Sequence, residues 1–388
     1  MKEKLRILII SHYFPPANGI ASLRPYSWAK YWSRMGYSVT VLTTKKERKK
    51  NDLTLDCSSF EIIEVENRIR DKMKKAANYQ DTGGKITEQS LKVKLLQNLK
   101  EFFNSRGIVS WDARMPNLID FWISSAYQKV NDKNWDLVVS TFAPYACHLI
   151  ARKLKLRNQN TFWIADYRDL WTESHMFRGL FPFTIIEEYL ERKINTTADL
   201  ITTVSYPLAE KVKSKYKIDN VEVVENGFDP EDLATIPSEP YWNDGKVRLV
   251  YTGSIYKGQR DPSPLFEAIK NIAQCEKSQL LDNLEVLFVG EKGNLDELLE
   301  KYKVEKWVKY IPRLPREEAL RMQRDAHALI FLESESPEIR GILTGKLFEY
   351  LYSGTQILSV GLDDDSSAGE LISQSGHGIN FGRDSHKL

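Results

Sequence analysis

The sequence predicts an α/β protein built from two doubly wound domains, and three observations predict it. Short β-branched runs alternate with helical patterns from the start of the chain. The alternation halts at a stretch rich in turn residues and then restarts. Finally, 388 residues are too many for one ordinary core and suit two domains.

The first series of strands is expected at 5–10, 38–43, 60–65, 137–140, 161–165, 200–204 and 221–224. Between the first two, Ser22 is placed as a helix cap with Pro25 in the opening turn. Trp28, Tyr31, Trp32 and Met35 supply a stripe at helical spacing, and Gly36 ends it. The second series follows Pro237, Pro240 and Asn243-Asp244-Gly245, at 247–252, 284–289, 307–311, 328–332 and 356–360. The expected division is therefore a domain over 1–230, a linker over 231–245 and a second domain over 246–388. Ligands of such sheets bind at the carboxyl ends of the strands, so the two edges are expected to face a common cleft.

Residues 67–108 interrupt the pattern with ten Lys/Arg against four Asp/Glu. Leu91, Val93, Leu95, Leu96, Leu99, Phe102 and Phe103 supply apolar positions, and Gly83-Gly84 suggests a loop before them. The stretch suits a basic amphipathic element on anionic lipid, or an insertion helix packed on the first domain. Over the whole chain charge nearly balances, at a formal +2, which implies no nucleic-acid footprint. Cys57, Cys147 and Cys275 lie far apart without metal-ligand spacing, which disfavours disulfides and structural zinc and fits a reducing cytosol. The opening apolar run is a first strand and not a signal peptide, and no run reaches the roughly 18 residues of a membrane span.

Three turns have the chemistry of phosphate binding. Gly19, between the first strand and helix, would let a backbone approach a ligand near free helical N–H groups, or serve turn geometry alone. No G-x-G-x-x-G is present, so a dehydrogenase fingerprint is missing. Gly253 and Ser254 open the corresponding turn of the second domain, which carries Lys257 and Arg260, two cations able to neutralise a leaving diphosphate without a metal, or else the charges of an ordinary solvated loop. Thr344, Lys346 and Glu349 begin a helix whose buried face is expected at Phe348, Leu351 and Tyr352. Lys346 suits phosphate and Glu349 suits ribose hydroxyls; taken alone, the two also read as a surface ion pair.

Asp166, Arg168, Asp169, Trp171, Glu173 and His175 cluster after a strand of the first domain, a composition suited to a sugar acceptor, with carboxylates on hydroxyls and an indole on a pyranose face. Asp166 and Arg168 are also readable as a structural pair. His12 is expected at a strand end facing the cleft. No Ser-His-Asp or metal constellation follows from the spacing of the six histidines.

With these segments in place, the chain resembles the family 4 retaining glycosyltransferases of the GT-B fold, especially bacterial members that assemble capsule, O-antigen and exopolysaccharide. The likeness rests on His12-Tyr13-Phe14-Pro15-Pro16, on the run from Ala165 to Thr172, and on that from Thr203 to Ala209. It continues through Val224 to Asp229, Tyr251 to Tyr256 and Gly345 to Leu351, in family order over nearly the whole chain. The resemblance implies two facing Rossmann-like domains and transfer from a nucleotide-diphosphate sugar with retained configuration and no metal or other cofactor. The acceptor would be lipid-linked or a glycan, at the cytoplasmic face of the membrane. It further implies that Arg260, Lys257 and Lys346 hold the diphosphate, Glu349 the ribose, and Gly19 the donor phosphate. Arg313 would flank the base, and Asp166, Arg168 and Asp169 would line the acceptor side.

Many relatives carry an acidic sugar contact eight residues before the ribose-binding Glu, where this chain has Gly341; Glu338 is the chosen substitute, with Glu333 and Glu335 as alternatives. Relatives also continue past the last strand into a return helix, so the chain is expected to be a fragment of a longer protein. A sugar-nucleotide epimerase of the same fold and a non-catalytic sugar-nucleotide-binding protein are the alternatives.

Overall fold

In the computed structural model the chain is described over residues 4–46, 53–67, 113–174, 179–234, 236–255, 260–275, 278–333, 343–362, 366–382 and 388. The insertion beyond Asn67 and the positions Lys257, His175, Glu335, Glu338 and Gly341 lie outside them. Two compact units divide between Glu225 and Asn226.

The first unit has a seven-stranded sheet of β1 (Arg6–Ile10), β2 (Ser38–Thr44), β3 (Glu61–Val65), β4 (Leu137–Phe142), β5 (Phe162–Tyr167), β6 (Leu200–Thr203) and β7 (Val221–Val223). Every pairing is parallel and the order is β3-β2-β1-β4-β5-β6-β7. Ile7 to Ile10, Val138 and Val139 are buried because helices cover a parallel sheet on both faces, which is why the strands read as unbroken apolar runs. The crossovers include α1 (Ile20–Arg34), α2 (Asp120–Gln128), α3 (Ala146–Arg157), α4 (Phe183–Asn195) and α5 (Tyr206–Tyr216).

Helix α1 starts at Gly19, three residues before the expected cap, and turns Ser22, Pro25, Tyr26 and Ala29 inward. Trp28 and Trp32 stack on each other at its flank, 5.9 Å between centroids, and Met35 is exposed. The expected stripe is thus displaced by about one residue.

The second unit repeats the pattern with β8 (Val247–Thr252), β9 (Leu284–Gly290), β10 (Val308–Pro312), β11 (Ala328–Leu332), β12 (Ile357–Val360) and β13 (Gly378–Asn380), again wholly parallel, in the order β10-β9-β8-β11-β12-β13. Its helices are α6 (Pro230–Ala234), α7 (Ser263–Ala273), α8 (Leu295–Tyr302), α9 (Arg316–Asp325), α10 (Gly345–Ser353) and α11 (Ser367–Gln374). The stretch 231–245, expected as a linker, packs on this unit. Tyr241 and Trp242 pack, partly buried, against its core, Asp325 accepts from Tyr241 N at 2.7 Å, and Arg324 donates to Pro237 O at 2.7 Å. An adjacent aromatic pair carries too much apolar area to stay in a solvated tether.

Candidate functional site

In the second unit the strand order reverses between β8 and β11, the switch point where sheets of this class bind ligands beyond their carboxyl ends. Gly253 follows β8 there with φ +143°, and a Cβ on it would stand 2.7 Å from Lys346 Nζ. Glycine is therefore required twice, for the backbone and for the lysine. The turn is pressed onto the end of β9: Gly253 N donates to Val289 O at 2.8 Å, and a Cβ on Gly290 would lie 2.2 Å from Gly253 O.

Lys346 occupies the first turn of α10 and is buried. Its Nζ lies 4.2 Å from the Tyr251 ring centroid and 3.1 Å from the Tyr251 hydroxyl. Tyr251 in turn donates to Ser254 O at 2.9 Å. Burial pushes the Tyr251 phenol up to about 12, against the pull of the Arg260 charge. A buried ammonium at a helix N-terminus opposes the helix dipole, so the ring compensates in part and an anion would compensate further. Thr344 caps α10 without a side-chain cap bond, its Oγ1 buried and making no hydrogen bond. Arg260 reaches Ser254 O at 3.4 Å and Glu333 Oε1 at 3.5 Å, long contacts by hydrogen-bond standards. Glu333 stands at the end of β11 with Oε2 buried and unpartnered.

Glu349 is held separately. Its Oε2 accepts from Arg316 at 2.8 Å and its Oε1 from Gln323 at 2.8 Å. Gln323 Nε2 also donates to Thr252 Oγ1 at 2.9 Å, and Tyr350 OH accepts from Thr252 N at 2.9 Å. The buried face of α10 is Lys346, Leu347 and Tyr350, not Phe348, Leu351 and Tyr352, which are half-buried. Lys346 is thus buried and Glu349 half-buried, each with its own partners, rather than a surface pair. Arg313 is exposed just beyond β10. Tyr251, Arg316 and Gln323 were missed by sequence reasoning, because no local spacing ties them to α10.

In the first unit, Asp166 is fully buried in β5 and its oxygens are filled: Arg24 Nη2 at 2.8 Å and Nε at 3.3 Å, Thr141 Oγ1 at 2.9 Å, and Thr202 Oγ1 at 2.8 Å. Arg24 also donates to Val224 O and Glu225 O, each at 2.9 Å. The structural partner of Asp166 is therefore Arg24 on α1 and not Arg168. Arg168 donates instead to Phe142 O at 3.1 Å, and Asp169 is exposed.

Trp171 corrects the expectation of a sugar platform. It is completely buried, stacked on Tyr145 with centroids 4.8 Å apart, and its Nε1 donates to Glu187 at 3.3 Å. Glu173 is exposed and pairs with Lys215 at 2.7 Å. His12 is buried with Nδ1 3.1 Å from Thr44 Oγ1. Gly19 has φ −173°, which any residue adopts, and a Cβ there meets nothing within 4 Å. Turn geometry does not require this glycine, whereas the open space before α1 is what an approaching ligand would need.

No protein-family model and no curated protein matches the sequence. Among solved structures the chain is similar to sucrose-phosphate synthase from Thermosynechococcus elongatus, with 13% identity, 99% of this chain and 88% of that one covered, and a TM-score of 0.62. A proposed UDP-N-acetylglucosamine 2-epimerase from Listeria monocytogenes follows at 12% identity, 99% and 86% coverage and TM-score 0.52. WaaG, a glycosyltransferase involved in lipopolysaccharide biosynthesis, matches at 13% identity, 98% and 88% coverage and TM-score 0.52. At such identities the likeness is one of fold, and two successive all-parallel, helix-covered sheets matched along almost the whole chain give this protein the GT-B fold.

Proposed function

We propose that the protein is a glycosyltransferase that takes its sugar from a nucleotide-diphosphate sugar. The observation that carries this reading is the Lys346 ammonium, buried on the Tyr251 ring beside Gly253 at the switch point of the second sheet. In this reading the diphosphate sits at the start of α10, with Lys346 and Arg260 as countercharges. Charge that grows on the departing diphosphate as the glycosidic bond breaks is met by these two side chains, so a metal is not required. Thr344 Oγ1 donates to a phosphate oxygen, Glu349 accepts from the ribose, and Arg313 flanks the base. Glu333, at the end of β11 beside Arg260, takes the sugar-contact role assigned to Glu338 by sequence.

The finer reading is retention of configuration and a lipid-linked or glycan acceptor of cell-surface polysaccharide synthesis, at the cytoplasmic face of the membrane. Arg168 and Asp169 remain the acceptor-side candidates, and Asp166 holds the edge on which they stand. Likeness to the Listeria protein favours one second reading, epimerisation of a nucleotide sugar.

A thermal-shift screen of nucleotide sugars tests the donor site: a true donor at roughly 100 times its dissociation constant adds about 2.7 kcal/mol. Product analysis then separates the readings, since an epimerase alters the nucleotide sugar with no acceptor present. Binding followed by neither transfer nor epimerisation would leave a sugar-nucleotide-binding protein. No stabilisation by any nucleotide sugar would end the proposal.

A further inference from the structure

Helix α4 buries two acids and exposes several apolar side chains. Two of its acids face the core: Glu187 is completely buried, pairs with Arg114 at 2.8 Å and accepts from Met115 N at 2.7 Å. Glu191 is buried too, accepting from Tyr216 OH at 2.6 Å and Thr172 N at 3.3 Å. Ile185, Ile186 and Tyr189 face out instead, while Ile194 is buried and Phe183 and Leu190 are half-buried. Phe181, just before the helix, is 76% exposed, Ile185 and Tyr189 are each 60% exposed, and Ile186 is 46% exposed. Ile185 and Tyr189 are four apart within the helix and share one face, and Phe181 precedes its first turn. Lys193 extends that face by one more step, with Nζ 5.5 Å from the Tyr189 ring centroid.

The buried carboxylates are compensated by Arg114, Tyr216 and the Met115 N–H, but exposing four large apolar side chains side by side is unfavourable in water. The outer face is therefore shaped for a medium other than water, and its charges indicate which. Glu188 is its one exposed acid, against exposed Arg192 and Lys193, and Arg152 contacts Thr197 just past the helix end at 3.3 Å. The four side chains offer roughly a few hundred Å² of apolar surface, well below the ~800 Å² per partner that a stable protein interface needs. An aromatic and aliphatic face ending in cations instead suits the boundary of an anionic bilayer, with rings at headgroup level. No helix among the described residues is long and apolar enough to cross a membrane, so the contact would lie in the interface plane.

We propose that the outer face of α4, with Phe181, Ile185, Ile186 and Tyr189 inserted and Arg192 and Lys193 against the headgroups, is a docking surface for an anionic lipid bilayer. It belongs to the first unit and stands whether or not the sugar-transfer reading holds.

Co-sedimentation tests this with vesicles of phosphatidylcholine alone and of phosphatidylcholine containing phosphatidylglycerol. The wild-type chain is expected to pellet with the anionic vesicles and to release as salt rises. Combined Phe181→Ser, Ile185→Ser and Tyr189→Ser should lower the apparent affinity at least about tenfold with an unchanged melting temperature, since all three side chains are exposed. Combined Arg192→Gln and Lys193→Gln should remove most of the preference for anionic vesicles. Wild-type protein that stays in the supernatant, or a triple variant that pellets equally, overturns the proposal. So does a wild-type dimer that the triple variant converts to monomer, which would assign the face to a second copy.

Discussion

The Lys346 ammonium lies 4.2 Å from the centroid of the Tyr251 ring and 3.1 Å from its hydroxyl oxygen, although 95 residues separate the two in the chain. A lysine held this way already bears the cost of desolvation, so an anion that meets it gains more than at a solvated lysine. Lys346→Met retains the aliphatic stem and removes the charge. Affinity for a free nucleoside diphosphate, measured by calorimetry, should fall by about 1.5 to 3 kcal/mol, the range for hydrogen bonds to charged groups. The melting temperature without ligand should hold or rise, because the buried charge is gone. Unchanged affinity would detach the diphosphate from Lys346.

Two glycines at equivalent turns should behave oppositely. Gly253→Ala forces a side chain onto φ +143° and to within 2.7 Å of Lys346 Nζ. It is expected to lower stability by about 1 to 3 kcal/mol and to weaken diphosphate binding as well. Gly19→Ala meets neither strain nor neighbour. It should leave the unfolding midpoint unchanged or raise stability by ~0.4 to 1 kcal/mol, while reducing turnover if a phosphate comes close to that backbone. Urea unfolding followed by activity assay separates the pair, and equal loss of stability in both would contradict the geometry.

Asp166 is a hub joining α1, β4, β5 and β6, and breaking it should register as stability before chemistry. Asp166→Ala leaves Arg24 buried and uncompensated and two threonine hydroxyls without their acceptor. The expected loss is about 3 to 5 kcal/mol by urea unfolding. Asp166→Asn keeps the shape and should lose less. A double-mutant cycle with Arg24→Met should show strong coupling, since the two side chains are in direct contact. An Asp166→Asn protein with unchanged stability and abolished turnover would instead return this carboxylate to the reaction.

Most strands were legible because parallel strands bury both faces and advertise themselves as continuous β-branched runs; 247–252 and 328–332 coincide with β8 and β11. Glycines and cations near the second switch point were legible as types, and the fold brings Gly253 and Lys346 together. Their support was not. Arg316 and Gln323 reach Glu349 from another helix, and Arg24 reaches Asp166 across 142 residues, contacts that no local spacing encodes. Trp171 misled for a related reason. An indole in a polar loop reads as exposed, but Glu187, hidden inside a helix that looks ordinarily amphipathic, draws it into the core.

The last prediction concerns acid stability and rests on His148, which no proposed chemistry uses. Its ring is fully buried, 4.6 Å between centroids from Tyr167 and 6.3 Å from Phe142, with Nδ1 2.7 Å from Ser140 Oγ. Burial pushes its pKa down from 6.5 to about 3, against the pull of Asp166. A folded-state value below the unfolded one means that the unfolded chain binds a proton the native protein refuses. Stability from this residue is therefore complete above about 6.5 and is lost as pH falls toward about 3. One such proton gives a slope of at most ~1.4 kcal/mol per pH unit. His148→Gln cannot titrate, so its unfolding free energy should fall less steeply across that window, while the carboxylates contribute equally to both proteins. Urea midpoints at a series of pH values give the two slopes. Parallel slopes would mean that the native imidazole takes up its proton as readily as the unfolded one, which a ring without solvent contact should not do.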